Sequence, residues 1–173
     1  IKFTKAFNLL VICFTIYISI GYGIQYQFEK AIEENDYPSA FTYAKRQFSI
    51  FPYDATAAHN IAVVGQEIGK DPVFVLEWLN CAEELSPLNP ERVRNKIQFY
   101  VDNSYGNITE LCRQYISMMP KNEEAYSYVQ SRVEMAVEKG LCPKEEQNKF
   151  LKELEEKRAD EKVIDRNKVL EDM

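Results

Sequence analysis

The sequence predicts an all-α fold: a transmembrane helix, then an antiparallel helix-pair solenoid of about three repeats, closed by a capping helix. Three observations carry this. Residues Ala6 to Ile24, AFNLLVICFTIYISIGYGI, hold no charge and are long enough to approach the ~30 Å hydrocarbon core of a bilayer. Prolines 52, 87 and 120 close successive blocks at intervals of 35 and 33 residues, the period of a helix-turn-helix repeat unit. Between those prolines apolar residues recur at helical spacing, so each helix has one face to bury.

The chain has 173 residues, 28% of them charged, and a net charge of −6. That suits one modest domain plus an anchor. Clustered Lys and Arg, the electrostatic footprint of nucleic-acid binding, are lacking, and no nucleic-acid partner is expected. The sequence opens on Ile1, which leaves three origins open: a removed leader, missing residues, or the tail of a longer protein.

The apolar segment reads as an uncleaved anchor over residues 1–24. Asn8, Thr15 and Ser19 are its clearly polar side chains, and hydroxyls can bond back to their own helix. Lys2 and Lys5 precede it and Glu29 is the first charge after it, which predicts a cytoplasmic N-terminus with the rest of the chain across the membrane. A signal peptide has a shorter apolar core, of about 7–15 residues, and a small-residue exit. Ser19-Ile20-Gly21 and Gly21-Tyr22-Gly23 are poor exits. A buried soluble helix is the third reading.

Residues 25–142 alternate helices and short turns. The first unit has a helix over Gln25–Glu34, a turn at Asn35-Asp36-Tyr37, and Pro38 at the start of a second helix, where its missing N–H costs nothing. Ala40, Ala44, Phe48 and Phe51 share one face of that helix. In the second unit Asp54 caps a helix whose stripe is Ala58, Ile61, Ala62, Gly65 and Ile68, with Gly69 as its stop. Asp71-Pro72 opens the next helix, with Phe74, Trp78, Cys81 and Leu85 on its predicted inner face. The third unit places Val93, Ile97, Tyr100 and Val101 inward, turns at Asn103-Ser104-Tyr105-Gly106, and buries Ile108, Leu111, Cys112, Tyr115 and Ile116. Asn122 opens a further helix with Ala125, Tyr128, Val129, Val133 and Ala136 on one face and Gly140 as its end. Tyr26, Tyr43, Tyr100, Tyr105 and Tyr128 read as packing between repeats.

From 143 to 173 charges of both signs alternate. Phe150, Leu151 and Leu154 offer the short apolar face that a capping helix needs. Further on, Val163, Ile164, Val169 and Leu170 are widely spaced among charges, which suits a solvated helix or tail.

From Ile24 to Gly140 the chain resembles the tetratricopeptide repeat family. Ala40, Phe48 and Pro52 stand at signature positions of the first unit. Ala58, Asn60, Ile61, Ala62, Gly65, Ile68, Gly69, Trp78 and Cys81 do so in the second. Phe74 departs from the pattern, since the family usually has alanine there, and the third unit keeps little beyond Pro120. The resemblance implies a protein-binding scaffold whose first helices line a concave groove. Its groove residues would be Gln25 and Glu29, then Thr56, His59, Val63 and Gln66, then Glu91, Arg94 and Gln98. The Lys, Arg and Asn cluster with which some members clamp a C-terminal carboxylate is lacking, so an extended peptide or a helix is the expected partner.

No chemistry is expected of this chain: no catalytic residues, no cofactor and no metal. His59 is the single histidine, and a catalytic or metal site needs partners for it. Cys13 falls in the apolar segment, while Cys81, Cys112 and Cys142 have no CxxC spacing and read as small apolar residues, with a disulfide to Cys142 left open. Asn107-Ile108-Thr109 matches a glycosylation sequon. The same residues, with Glu110, also read as a capping box.

The expected function is a membrane-anchored interaction scaffold, or an assembly subunit of a membrane complex. Its address is a bacterial inner membrane with the soluble part in the periplasm. The alternative is the tail of a polytopic glycosyl-transfer enzyme of the O-antigen ligase and O-oligosaccharyltransferase group, which it resembles in layout, with catalysis upstream.

Overall fold

The computed structural model describes the backbone of residues 2–171 and the side chains of residues 6–159. Among the described residues every regular element is helical: α1 (Lys2–Glu33), α2 (Tyr37–Ile50), α3 (Ala55–Glu67), α4 (Pro72–Leu85), α5 (Pro90–Asp102), α6 (Thr109–Met118), α7 (Glu123–Glu138) and α8 (Lys144–Glu171). They form two compact units, residues 1–87 and 88–173. Val163, Ile164, Val169 and Leu170 lie outside the described side chains.

Local signals start and stop most helices. Asp36 accepts from the Ser39 N–H at 3.2 Å, Asp54 from Thr56 at 2.8 Å and Ala57 at 3.1 Å, and Asp71 from Val73 at 2.7 Å. Asn89 and Asn122 cap α5 and α7 in the same way. Each side chain takes one or two of the N–H groups that a helix start leaves unpaired. Gly69 and Gly140, both at φ +71°, end α3 and α7 in the left-handed conformation that glycine adopts without a Cβ clash.

In the first unit α1 is one helix from the apolar segment into the repeat, with no break at residue 24. The Thr15 hydroxyl donates to the Val11 carbonyl at 2.9 Å and Ser19 to Thr15 at 2.8 Å, so both polar groups are satisfied within the helix. Among the described residues one helix, running from Ala6 to Glu33, is long and apolar enough to cross a membrane. Its second half packs antiparallel on α2. The Tyr17 hydroxyl donates to the Ile50 carbonyl at 3.2 Å, and its ring lies 4.6 Å from that of Phe51. A Cβ on Gly21 would come within 2.9 Å of the Phe51 ring; the missing side chain is what admits that ring. Phe28, Ala31, Ala40, Ala44, Ile61 and Val64 form the core, with Phe48, Phe74 and Trp78 packed at its margin.

The stripe of α3 is buried at Ala58, Ile61, Ala62 and Gly65, joined by Ala57 and Val64, while Ile68 is half-buried at the cap. The inner face of α4 differs from the expected one. Val75, Leu79 and Ala82 are its buried residues, whereas Phe74, Trp78, Cys81 and Leu85 are half-buried. One residue is about 100° of helix rotation, so the large aromatics flank the core. Trp78 meets Phe48 edge-on at 4.9 Å.

In the second unit Val93, Ile97, Val101, Ile108, Cys112, Tyr115, Ile116, Ala125, Val129, Val133 and Ala136 are buried together. Tyr100, Leu111 and Tyr128 pack partly buried against them, and Phe99 and Tyr126 prove buried too. The α5–α6 turn carries Ser104 at φ 53° and Gly106 at φ 119°. Lys139 donates to the Val101 carbonyl at 2.7 Å, so a cation from the end of α7 meets the negative end of α5. Phe150 and Leu154 of α8 are buried in this core and Leu151 is half-buried: the charged last helix covers α6 and α7.

The capping box at Asn107 is a correction. Asn107 still accepts from the Thr109 N–H at 2.9 Å, but Glu110 turns to Arg113 and does not reach back. The place of a local partner is taken by Glu146 of α8, whose Oε1 accepts from Asn107 Nδ2 at 2.6 Å and from the Thr109 hydroxyl at 3.1 Å. A carboxylate makes a stronger acceptor than a backbone carbonyl, and it also ties the sequon residues to the capping helix. Cys112 and Cys142 are buried and free, Cys81 half-buried and free, Cys13 exposed. Burial pushes the Cys112 thiol up to about 12, which keeps it an inert packing group.

Candidate functional site

The candidate groove residues lie on the first helices of the repeats, and each unit holds its own set. On α3, Thr56, His59, Val63 and Gln66 recur at intervals of three and four residues and share one face. His59 is half-buried and Thr56, Val63 and Gln66 are exposed. This face opposes the buried Ala57, Ile61 and Val64 stripe, so α3 is committed to the core on one side and open on the other. On α1, Gln25 Nε2 donates to Glu29 Oε1 at 2.8 Å.

The structure brings Gln25 and Thr56 together. Both line an open notch of about 390 Å³, with Ile18, Gly21, Tyr22, Gln47, Phe51 and Asp54 completing it. Gln47, on α2, is 8% exposed and its Nε2 donates to Asp54 Oδ2 at 2.7 Å. Glu29, His59, Val63 and Gln66 do not line that notch.

In the second unit Glu91, Arg94 and Gln98 form the corresponding stripe on α5. Arg94 pairs with Glu91 at 3.5 Å, and Gln98 donates to Asp102 at 2.6 Å. The guanidinium of Arg94 lies 5.0 Å from the Tyr128 ring centroid, and the Tyr128 hydroxyl donates to the Arg94 carbonyl at 3.1 Å. Burial, the largest effect, raises the Tyr128 hydroxyl, opposed by Arg132 and Arg94. It therefore stays a neutral donor at physiological pH. These bonds hold Arg94 in place on an exposed surface.

A cleft that sequence reasoning did not anticipate opens between α6 and α8, about 570 Å³ in volume, over Leu111, Ile116, Phe150 and Leu154. Arg113 spans it, donating to Glu153 at 3.1 Å and lying 5.3 Å from the Phe150 ring centroid. The hydrogen bond from Arg113 holds the Glu153 carboxyl below its ordinary range. The sequence signal for it, Arg113 and Glu153 forty positions apart, is invisible without the fold.

Among the described residues no group of three or more His, Cys, Asp or Glu is placed to hold a metal ion. Paired helices with capped starts, glycine stops and a roughly 34-residue period define a tetratricopeptide-like helical repeat. Solved structures bear this out. The chain is similar to the structure of MamA, with a TM-score of 0.59, 17% identity, and coverage of 83% of this chain and 81% of that one. It is also similar to a Thermobaculum terrenum O-GlcNAc transferase, with a TM-score of 0.57, 16% identity and coverage of 68% of this chain. It spans 22% of the transferase's length. At such identities the likeness is one of fold. No family model matches the chain, and neither does any curated protein sequence.

Proposed function

We propose that this chain is a membrane-anchored tetratricopeptide-like scaffold, an assembly subunit that holds a protein partner against a bilayer. The observation that carries the reading is α1. Its first half exposes Phe7, Leu9, Leu10, Ile12, Phe14 and Ile16, and the same helix continues without a break into the core of the first unit. Large contiguous apolar surface of this kind marks a membrane or a partner, and an unbroken helix hands the orientation of the anchor to the repeats. Lys2 and Lys5 then stay in the cytoplasm and the repeats face the periplasm of a bacterial inner membrane.

The stripes Thr56, His59, Val63 and Gln66 on α3, and Glu91, Arg94 and Gln98 on α5, with Gln25 and Glu29 on α1, are the partner-binding surface; His59, Gln98 and Gln25 are half-buried and the others exposed. They mix donors and acceptors with little net charge, which suits main-chain and amide groups of an extended segment or a helix. The partner is another subunit of the same membrane complex. No group in these stripes is arranged for bond making, and the function is recognition.

The experiment is purification of the tagged full chain from its native membrane in mild detergent, with mass spectrometry of what accompanies it. A discrete protein partner is expected, retained by the wild type and lost in a Val63→Glu, Gln66→Glu variant of unchanged helicity. A chain that emerges alone and monodisperse would sink the scaffold reading. Release of the chain from membranes by alkaline carbonate would sink the anchor.

A further inference from the structure

The apolar length of α1 and its clamp on α2 together set a depth scale. Ala6 to Ile24 rises ~27 Å at about 1.5 Å per residue, so Ile24 falls at one edge of a ~30 Å hydrocarbon core. Phe51 rests on Gly21, ~4–5 Å inside that edge, and the Tyr17 hydroxyl holds Ile50 ~10 Å inside it. The corner between α2 and α3 therefore sits at the boundary of acyl chains and headgroups, the depth of about 5–10 Å to which interfacial segments bury. Its outward side chains match the location: Tyr53 is 86% exposed and Tyr22 is 75% exposed, and tyrosine is enriched at membrane–water boundaries.

The notch of about 390 Å³ lies at this corner. Toward the core its wall is Ile18, Gly21 and Phe51; toward water it is Gln25, Gln47 and Asp54. The polar wall offers acceptors. Gln47 Nε2 is committed to Asp54 and Gln25 Nε2 to Glu29, while Oε1 of both glutamines is buried with no hydrogen-bond partner. Buried acceptors without a donor are uncommon in folded proteins and call for an explanation. Asp54 adds a carboxylate, and no Lys or Arg lines the notch. Two unpaired carbonyl oxygens beside a carboxylate fit a compact cation with several N–H donors, and the apolar wall beneath fits a hydrocarbon chain.

We propose that the notch is a phospholipid site that takes a primary ammonium headgroup, with an acyl chain running down Ile18 and Phe51. The ammonium donates to Gln25 Oε1 and Gln47 Oε1 and is balanced by Asp54. A trimethylated headgroup has no N–H and a glycerol headgroup no positive charge, so both bind more weakly. The inference rests on the reading of α1 as a membrane helix.

The test is native mass spectrometry of the full chain released from nanodiscs holding phosphatidylethanolamine, phosphatidylcholine and phosphatidylglycerol of matched acyl chains in equal amounts. Flotation with the corresponding vesicles is measured alongside. One retained phosphatidylethanolamine is expected, enriched about tenfold or more over the other two, the ratio that one charge-assisted bond supplies. Gln47→Leu and, separately, Gln25→Leu should bring that ratio close to one, with helicity and Trp78 fluorescence unchanged. Equal retention of all three lipids by a chain that still floats would overturn the lipid site and leave the anchor standing. Enrichment that survives in both variants would overturn the notch as its location. Displacement of the lipid by an equal concentration of free ethanolamine would overturn the lipid as the ligand. Failure to float with any vesicle would overturn the anchor, and the lipid site with it.

Discussion

Truncating Phe150 to alanine tests whether the charged last helix belongs to the fold. Phe150 is 1% exposed and sits in the core of the second unit with Cys112, Ile116 and Val129. Removing a fully buried phenylalanine ring costs about 3–5 kcal/mol, from lost transfer energy and the cavity left behind. The stacked Arg113 guanidinium, 5.3 Å from the ring centroid, adds about 0.5–1 kcal/mol at a partly exposed site. Against a total stability of about 5–15 kcal/mol for a domain, the second unit would lose a large share. The assay is urea denaturation of the full chain in detergent followed by far-UV circular dichroism. Fluorescence of the single tryptophan, Trp78, in the first unit, shows how far the loss is transmitted. Leu151→Ala, at a half-buried position of the same helix, should cost clearly less. A loss below about 1 kcal/mol for Phe150→Ala would mean that α8 is not seated on α6 and α7, and the capping argument would fail.

Three further outcomes are expected. Glu153→Gln should cost under about 1 kcal/mol at pH 7, because the pair with Arg113 is largely exposed. The Arg113 hydrogen bond depresses the folded Glu153 carboxyl below its ordinary 4.5, so this contribution is present above that pH. It disappears as pH falls through the depressed value; wild type and variant should converge in urea titrations as the pH is taken below that depressed value. Cys112, its thiol pushed up to about 12 by burial, should resist a maleimide at pH 8 in the folded chain and react on unfolding, as quantified by intact mass. Trp78→Ala should cost about 2–3 kcal/mol, at the low end for large aromatic truncations, because the half-buried indole packs at the core's margin; this is measured by urea titration with circular dichroism.

The parts of the fold that the sequence displayed are those governed by nearest neighbours. Asp54, Asp71 and Asn122 cap helices through N–H groups two or three residues away. Gly69 and Gly140 stop them through their own φ. The phase of α4 was not displayed. Its aromatic residues outweigh Val75, Leu79 and Ala82 in apolar mass, and only the packed neighbours decide that the smaller side chains go innermost. The cap at Asn107 was half legible: the Asx bond to Thr109 is local, but Glu146 arrives from 39 residues away. Of the candidate site, the α3 and α5 stripes follow from helical periodicity. The notch does not, because Gln25, Gln47 and Asp54 come from two helices and a cap, and their convergence depends on Phe51 lying over Gly21.

The central claim is that one continuous helix carries the chain through the bilayer and straight into the first repeat. Its most direct test is a spin-label accessibility scan of single-cysteine variants from Phe7 to Ile32 in reconstituted bilayers, on a background without the native cysteines. The account predicts oxygen-accessible positions up to Ile24, with a helical period of about 3.6 residues that persists in phase to Ile32. Positions facing α2, Gly21 and Phe28 among them, should be shielded throughout. A loss of period near Ile24, or water accessibility along the whole apolar segment, would contradict it.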